Sequence, residues 1–218
     1  MIEAVIFDVD GTLVDSVDFH AEAWERAFAR HGHDIAFAAL RSQIGKGGDQ
    51  LMPEFLDQAQ LKKIGPKIER DRGDIFRADY LDRVKGFPGC GDLFRALRAR
   101  GLRIALASSS PSADLKVFKK AAGVDGLTDV ETSSDDAERS KPHPDIFQAA
   151  LDKLKLAPGR VVVVGDTPYD ADAARKAGVR SVGVLCGGFA EADICAGGAA
   201  QVYRDPADLL AHLEDWAA

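Results

Sequence analysis

Cysteine is scarce in this sequence: Cys90, Cys186 and Cys195 are the only three in 218 residues, and no two form a CxxC pair. An odd, scattered set argues against a disulfide framework or a thiolate zinc site and fits a reducing compartment, so a cytoplasmic protein is expected. Basic excess is also lacking. Against 35 Asp and Glu there are 28 Lys and Arg, a formal charge of -7, which removes the usual electrostatic basis for holding nucleic acid. No apolar run approaches the ~20 residues that would span a bilayer, and the first residues have neither the basic start nor the long apolar stretch of a secretion signal. Internal repeats and low-complexity tracts are missing too. The expectation is a globular chain with no membrane or nucleic-acid partner, with a monomer as the default.

What is present is alternation. Four short apolar runs, "IEAVIF" (2–7), "LRIALA" (102–107), "RVVVVG" (160–165) and "RSVGVL" (180–185), read as strands covered on both faces. Helical periodicity fills the gaps, over 89–101, 112–123, 143–155, 170–178 and 205–216, several of these stretches ending at glycine. Strand–helix alternation of this length predicts a doubly wound parallel sheet. The stretch from 16 to 86 breaks the rhythm. It holds helical patterns over 17–32, 54–72 and 74–85 and no convincing strand, and it reads as an α-helical insertion hinged near Asp15–Val17 and Gly86–Gly89. The predicted domains are an α/β core, 1–15 plus 87–218, and a helical cap, 16–86.

Ligands of open parallel sheets bind beyond the carboxyl ends of the strands. After the first run come Asp8, Asp10, Gly11 and Thr12; after the second, Ser108, Ser109 and Ser110; after the third, Asp166, Thr167 and Asp170. Lys141 precedes the third run within "SKPHP". Carboxylates gathered at one rim repel unless a cation offsets them, and an all-oxygen donor set suits Mg²⁺. One carboxylate can act as nucleophile while its neighbour handles a proton, with lysine and hydroxyls holding phosphoryl oxygens.

In order and spacing, "DVDGTLVDS", "LASSS", "SKPHPDIF" and "VVGDTPYD" resemble the motifs of haloacid dehalogenase-like hydrolases, in the phosphoglycolate phosphatase and β-phosphoglucomutase branch with a helical cap. The resemblance spans nearly all of the α/β portion and implies a Rossmann-like core and a Mg²⁺-dependent phosphatase acting on a small phosphorylated metabolite. It implies Asp8 as nucleophile and Asp10 as general acid and base. Ser108, Ser109, Lys141, Gly11 and Thr12 would serve the phosphoryl group, with Thr12 orienting the nucleophile loop. Asp8, the Asp10 carbonyl, Asp166 and Asp170 would serve the metal, Asp170 through water.

Each residue also has a plain structural reading. Asp10-Gly11 alone marks a tight turn, Asp170 alone a helix-start charge. Ser108–Ser110 alone would be a helix cap, and Ser110 or Ser112 is the expected capping residue, leaving Ser108 free. Two residues of the inserted segment are specificity candidates. His20 lies ten residues after Asp10, where β-phosphoglucomutase-like enzymes carry a histidine that couples cap closure to the acid/base aspartate. Lys46 sits in the glycine-rich "IGKGGDQL", where it could meet an anionic group of the substrate. A phosphosugar mutase remains the alternative activity, weakened by Gly48 where that branch has a phosphate-gripping arginine. A non-catalytic pocket-binding or regulatory member is the alternative from another class.

Overall fold

The computed structural model describes residues 1–217. The chain runs β1 (Ala4–Phe7), β2 (Val14–Asp15), α1 (Val17–Arg30), α2 (Phe37–Arg41), α3 (Gly48–Leu51), α4 (Gln58–Asp79), β3 (Lys85–Gly86), α5 (Cys90–Ala99), β4 (Arg103–Ala107), α6 (Ser112–Ala121), β5 (Val130–Thr132), α7 (Asp145–Leu154), β6 (Val161–Gly165), α8 (Pro168–Lys176), β7 (Arg180–Val184), α9 (Glu191–Gly197), β8 (Gln201–Tyr203), α10 (Pro206–Ala211) and α11 (Leu213–Trp216).

Six strands form one parallel sheet in the order β5-β4-β1-β6-β7-β8. The period-2 geometry of a strand sorts its side chains between two apolar layers. Val5, Phe7, Ile104, Leu106, Val162 and Val164 face one layer, which α5 and the C-terminal helices complete through Phe94, Leu209 and Trp216. Ala4, Ile6, Ala105, Ala107, Val161 and Val163 face the other, covered by α7 and α8. Burial on both faces explains why the four longest strands read as apolar runs. The edge strands β5 and β8 did not: each has three residues, mostly half-buried, with Glu131 or Gln201 among them.

Register decides the site. Phe7 pairs with Leu106 on one side and Val164 on the other, so the next residue, Asp8, is level with Ala107 and Gly165. The chain begins at mid-sheet, moves outward through β4 and β5, and returns to the far side of β1 at β6. This reversal opens the crevice in which doubly wound folds bind ligands.

Between α1 and α4 the structure is helical, but two expectations are corrected. The helical parts of the stretches 54–72 and 74–85 join across Gly73 into a single helix, α4, started by a capping box between Asp57 and Gln60 and running through Pro66 to Asp79. Secondly, Lys85–Gly86 is a strand, paired antiparallel with Val14–Asp15, so the chain leaves and re-enters the α/β region side by side. Among the described residues no helix is long and apolar enough to cross a membrane.

Candidate active site

The loop after β1 winds tightly around one carbonyl. Val9 O accepts from the amides of Thr12, Leu13 and Val14, while the Gly11 amide donates to Val14 O at 2.8 Å. Gly11 has φ +82°, and a Cβ there would fall 2.2 Å from Asp166 Oδ2, so glycine is needed both for the turn and for the approach of the carboxylate. The turn reading of Asp10-Gly11 holds, and the same turn brings the loop against Asp166. The Thr12 hydroxyl lies 2.9 Å from Asp166 Oδ1 and 3.2 Å from Asp8 Oδ2, one proton between two carboxylates.

Lys141 is buried at the base of the site. Its ammonium donates to Asp8 Oδ1 and to Ala107 O at 3.2 Å and forms an ion pair with Asp170 Oδ1 at 2.7 Å. Burial disfavours the ammonium, yet the charges of Asp170 and Asp8 outweigh it and hold the Lys141 pKa above its ordinary value. The other Asp170 oxygen accepts from the Thr167 amide at 3.2 Å and hydroxyl at 2.5 Å, closing the capping box that starts α8. Asp170 thus takes part in the helix start and pairs with Lys141 at once.

Asp8, Asp166 and Asp170 each place one carboxylate oxygen within 4.8 Å of the others. Three carboxylates around one ammonium leave an excess of negative charge. Burial lifts the Asp8 carboxyl from 3.8 to about 7, with Lys141 opposing and Asp170 and Asp10 assisting. Asp166 is raised well above the usual range by burial, then by the charges of Asp8 and Asp170. Asp166 Oδ2 is buried and without a hydrogen-bond partner. Two glycines keep the space around it open, since a Cβ at Gly187 would lie 1.7 Å from the same oxygen. An orphaned oxygen, an all-carboxylate donor set and a glycine-lined gap fit a hard divalent cation such as Mg²⁺. The Asp10 side chain is not part of this cluster.

Asp10 instead faces the helical segment. Its Oδ1 takes the Ser16 hydroxyl at 2.6 Å and lies 2.9 Å from His20 Nε2; its Oδ2 takes the hydroxyls of Ser110 at 2.9 Å and Ser108 at 3.4 Å. Burial opposes ionisation, but the His20 interaction and the hydroxyl donors prevail and hold the carboxyl at about 2. The expected cap at the start of α6 is corrected here. No side chain caps that helix: Ser112 is already inside it, Ser110 is committed to Asp10, and the Ser108 Oγ accepts the Ser110 amide at 3.0 Å.

A pocket lies over Asp8 and Asp10, lined by His20, Trp24 and Arg72 from the helical segment and by Ser109 from the core. Asp49 of α3 accepts the Ser140 amide at 3.1 Å, beside Lys141, and Arg41 of α2 donates to Gly187 O at 3.1 Å, so the helical segment is latched onto the loops of the site. Lys46 borders the cavity with its ammonium engaged by Gln43 at 2.6 Å and Glu54 at 2.8 Å, 4.8 Å from the centre of the Tyr169 ring. Arg72, Trp24 and Gly187 were not singled out in the sequence, where an arginine in an amphipathic helix and a glycine in a loop carry no local signal.

The fold is a doubly wound parallel α/β sheet with a helical insertion, and carboxylates cluster beyond the ends of its central strands. The family model for haloacid dehalogenase-like hydrolases matches residues 2–178. A phosphorylated carbohydrates phosphatase from Thermotoga maritima is 24% identical over 83% of this chain and 84% of its own. Phosphoglycolate phosphatase from Rhodospirillum rubrum is 30% identical over 99% of this chain and 91% of its own. A hydrolase structure from Pseudomonas syringae superposes with a TM-score of 0.90 at 29% identity, covering 99% of this chain and all of the other. The chain belongs to the haloacid dehalogenase-like hydrolases.

Proposed function

We propose that this hydrolase is a Mg²⁺-dependent phosphatase of small phosphomonoesters, of the sugar phosphate or phosphoglycolate type, working through a phosphoryl group held on Asp8. The observation that carries it is Asp8 fixed between Lys141 and Thr12 beside Asp166, whose Oδ2 has no partner. Asp8 and Asp166 would hold Mg²⁺, with Asp170 behind them, and the ion would offset the charge of the carboxylates and of the phosphoryl oxygens.

In this reading an Asp8 oxygen forms a bond to phosphorus as the bond to the leaving oxygen breaks. That oxygen takes a proton from Asp10. Asp10 is ionised as it stands, and His20 Nε2, 2.9 Å away, is positioned to supply the proton for this step. In the second half Asp10 takes a proton from water, the water oxygen attacks phosphorus, and inorganic phosphate leaves as Asp8 is restored. Lys141 and the Ser108 and Ser109 region would hold the phosphoryl oxygens throughout. The inserted segment 16–86 serves as a cap over the pocket at Asp8: substrate enters as the cap lifts, and its closure excludes water during the first transfer.

His20 beside Asp10 is a feature shared with the mutase branch, but the cap loop argues against that activity. At Gly48, where that branch carries an arginine, a Cβ would meet the Glu69 carboxylate at 1.7 Å, so an acid fills the place of the cation. The test is hydrolysis of p-nitrophenyl phosphate with and without Mg²⁺, with acid-quenched enzyme assayed for bound phosphate. Metal-dependent turnover that disappears in Asp8→Asn is expected. Equal inertness of both proteins across a broad phosphate panel would remove the proposal.

A further inference from the structure

Glu69 and Arg72 lie one turn apart on α4, their side chains paired at 2.8 Å. Arg72 also stacks over Trp24, with its guanidinium carbon 5.1 Å from the ring centre. Arg72 borders both the pocket over Asp8 and a groove of about 510 Å³ beyond it, and Glu69 lines that groove. A leaving group extending from phosphorus toward the groove therefore passes this pair.

The pair is not satisfied internally. Arg72 Nε and Glu69 Oε2 are both buried and without hydrogen-bond partners. One is a donor that cannot accept, the other an acceptor that cannot donate. A hydroxyl group does both, accepting from Nε and donating to Oε2 once the arriving substrate parts the pair from its packing. A carboxylate only accepts, and it would meet the Glu69 charge at close range. Lys46, the other cation bordering the cavity, is paired with Glu54 and offers no uncompensated charge. Gly48 belongs to the same arrangement, since any side chain there would collide with Oε2.

We infer that the Glu69–Arg72 pair selects a neutral, polyhydroxylated leaving group, that of a sugar or polyol phosphate, over a carboxylate-bearing one such as phosphoglycolate. The inference rests on the phosphatase reading of the Asp8 site. Glu69 and Arg72 determine specificity without touching the reacting atoms.

The experiment measures kcat/KM of wild type and Glu69→Gln with Mg²⁺ on glucose 6-phosphate, ribose 5-phosphate, glycerol 3-phosphate, 2-phosphoglycolate and p-nitrophenyl phosphate. For wild type, the best sugar or polyol phosphate should exceed phosphoglycolate by at least about tenfold, the worth of one hydrogen bond to a charged group. In Glu69→Gln, whose amide no longer repels an anion, that ratio should fall by about tenfold. Wild type that hydrolyses p-nitrophenyl phosphate but prefers phosphoglycolate overturns this inference alone, as does a ratio unmoved in a folded Glu69→Gln. The wild-type comparison decides the matter if that variant does not fold. Inertness toward every substrate, p-nitrophenyl phosphate included, overturns the phosphatase reading and this inference with it.

Discussion

His20 Nε2 lies 2.9 Å from Asp10 Oδ1 while the imidazole stacks on Phe76, their ring centres 4.0 Å apart and their planes within 6°. One ring thereby ties α1 and α4 to the loop that follows β1. His20→Ala removes a proton source and the fixed orientation of Asp10. We expect kcat on p-nitrophenyl phosphate to fall by about 10²-fold, at the lower end of acid–base contributions, with KM little changed. A His20→Ala enzyme with unaltered kcat would confine the ring to packing.

The carboxylate cluster makes metal-free stability depend on pH. The Asp8 carboxyl sits at about 7 when folded and at 3.8 ordinarily, so between those values the folded chain keeps a proton that the unfolded chain has lost. Asp166 is shifted in the same direction. Stability without metal should therefore fall as pH rises from about 4 to about 7, by ~1.4 kcal/mol per unit for each proton retained. Thermal melts in EDTA across that range will show it. Added Mg²⁺ should raise Tm more at pH 8 than at pH 5, because protons and metal compete for the same oxygens. A Tm that is independent of pH and of Mg²⁺ would contradict this account of the cluster.

Gly187 provides a test of the metal site away from the carboxylates themselves. Its φ is not in the left-handed region, so alanine is compatible with the backbone, yet the added methyl would fall 1.7 Å from Asp166 Oδ2. Gly187→Ala should keep the fold and lose most of the Mg²⁺-induced rise in Tm. Retention of the full rise would place the ion elsewhere.

Lys141 is the buried countercharge. Lys141→Ala leaves Asp8 and Asp170 unpaired in the interior, a loss of about 3–5 kcal/mol. For a chain of this size that is a fall in Tm of roughly 6–20 °C. Asp8→Asn works in the opposite sense: it abolishes turnover but relieves like-charge crowding, so the metal-free protein should melt higher than wild type. Calorimetry of the three proteins in EDTA checks both signs. An Asp8→Asn protein that melts lower than wild type would show that the Asp8–Lys141 attraction outweighs the crowding of the carboxylates.

The sequence by itself determined the central strands, because a strand buried on both faces must be apolar nearly throughout, and it determined the residues at their carboxyl ends, because the order of four motifs is a one-dimensional property. Asp8, Asp10, Ser108, Lys141, Asp166 and Asp170 were all visible in that way. The edge strands β5 and β8 were not, since half-exposed strands of three residues have no periodicity to read. Nor was the continuity of α4, where Gly73 looks like a break in sequence but is carried by the surrounding turns and tertiary packing. Only the tertiary structure decided how the groups divide. Asp8 faces Lys141 and Asp166, whereas Asp10, two residues on, is turned by the loop toward Ser16, His20 and Ser110. Equally, only the fold set Arg72 and Glu69 beside the cavity and Gly187 against Asp166, for the meaning of such residues lies in neighbours brought close in space by chain segments remote in sequence.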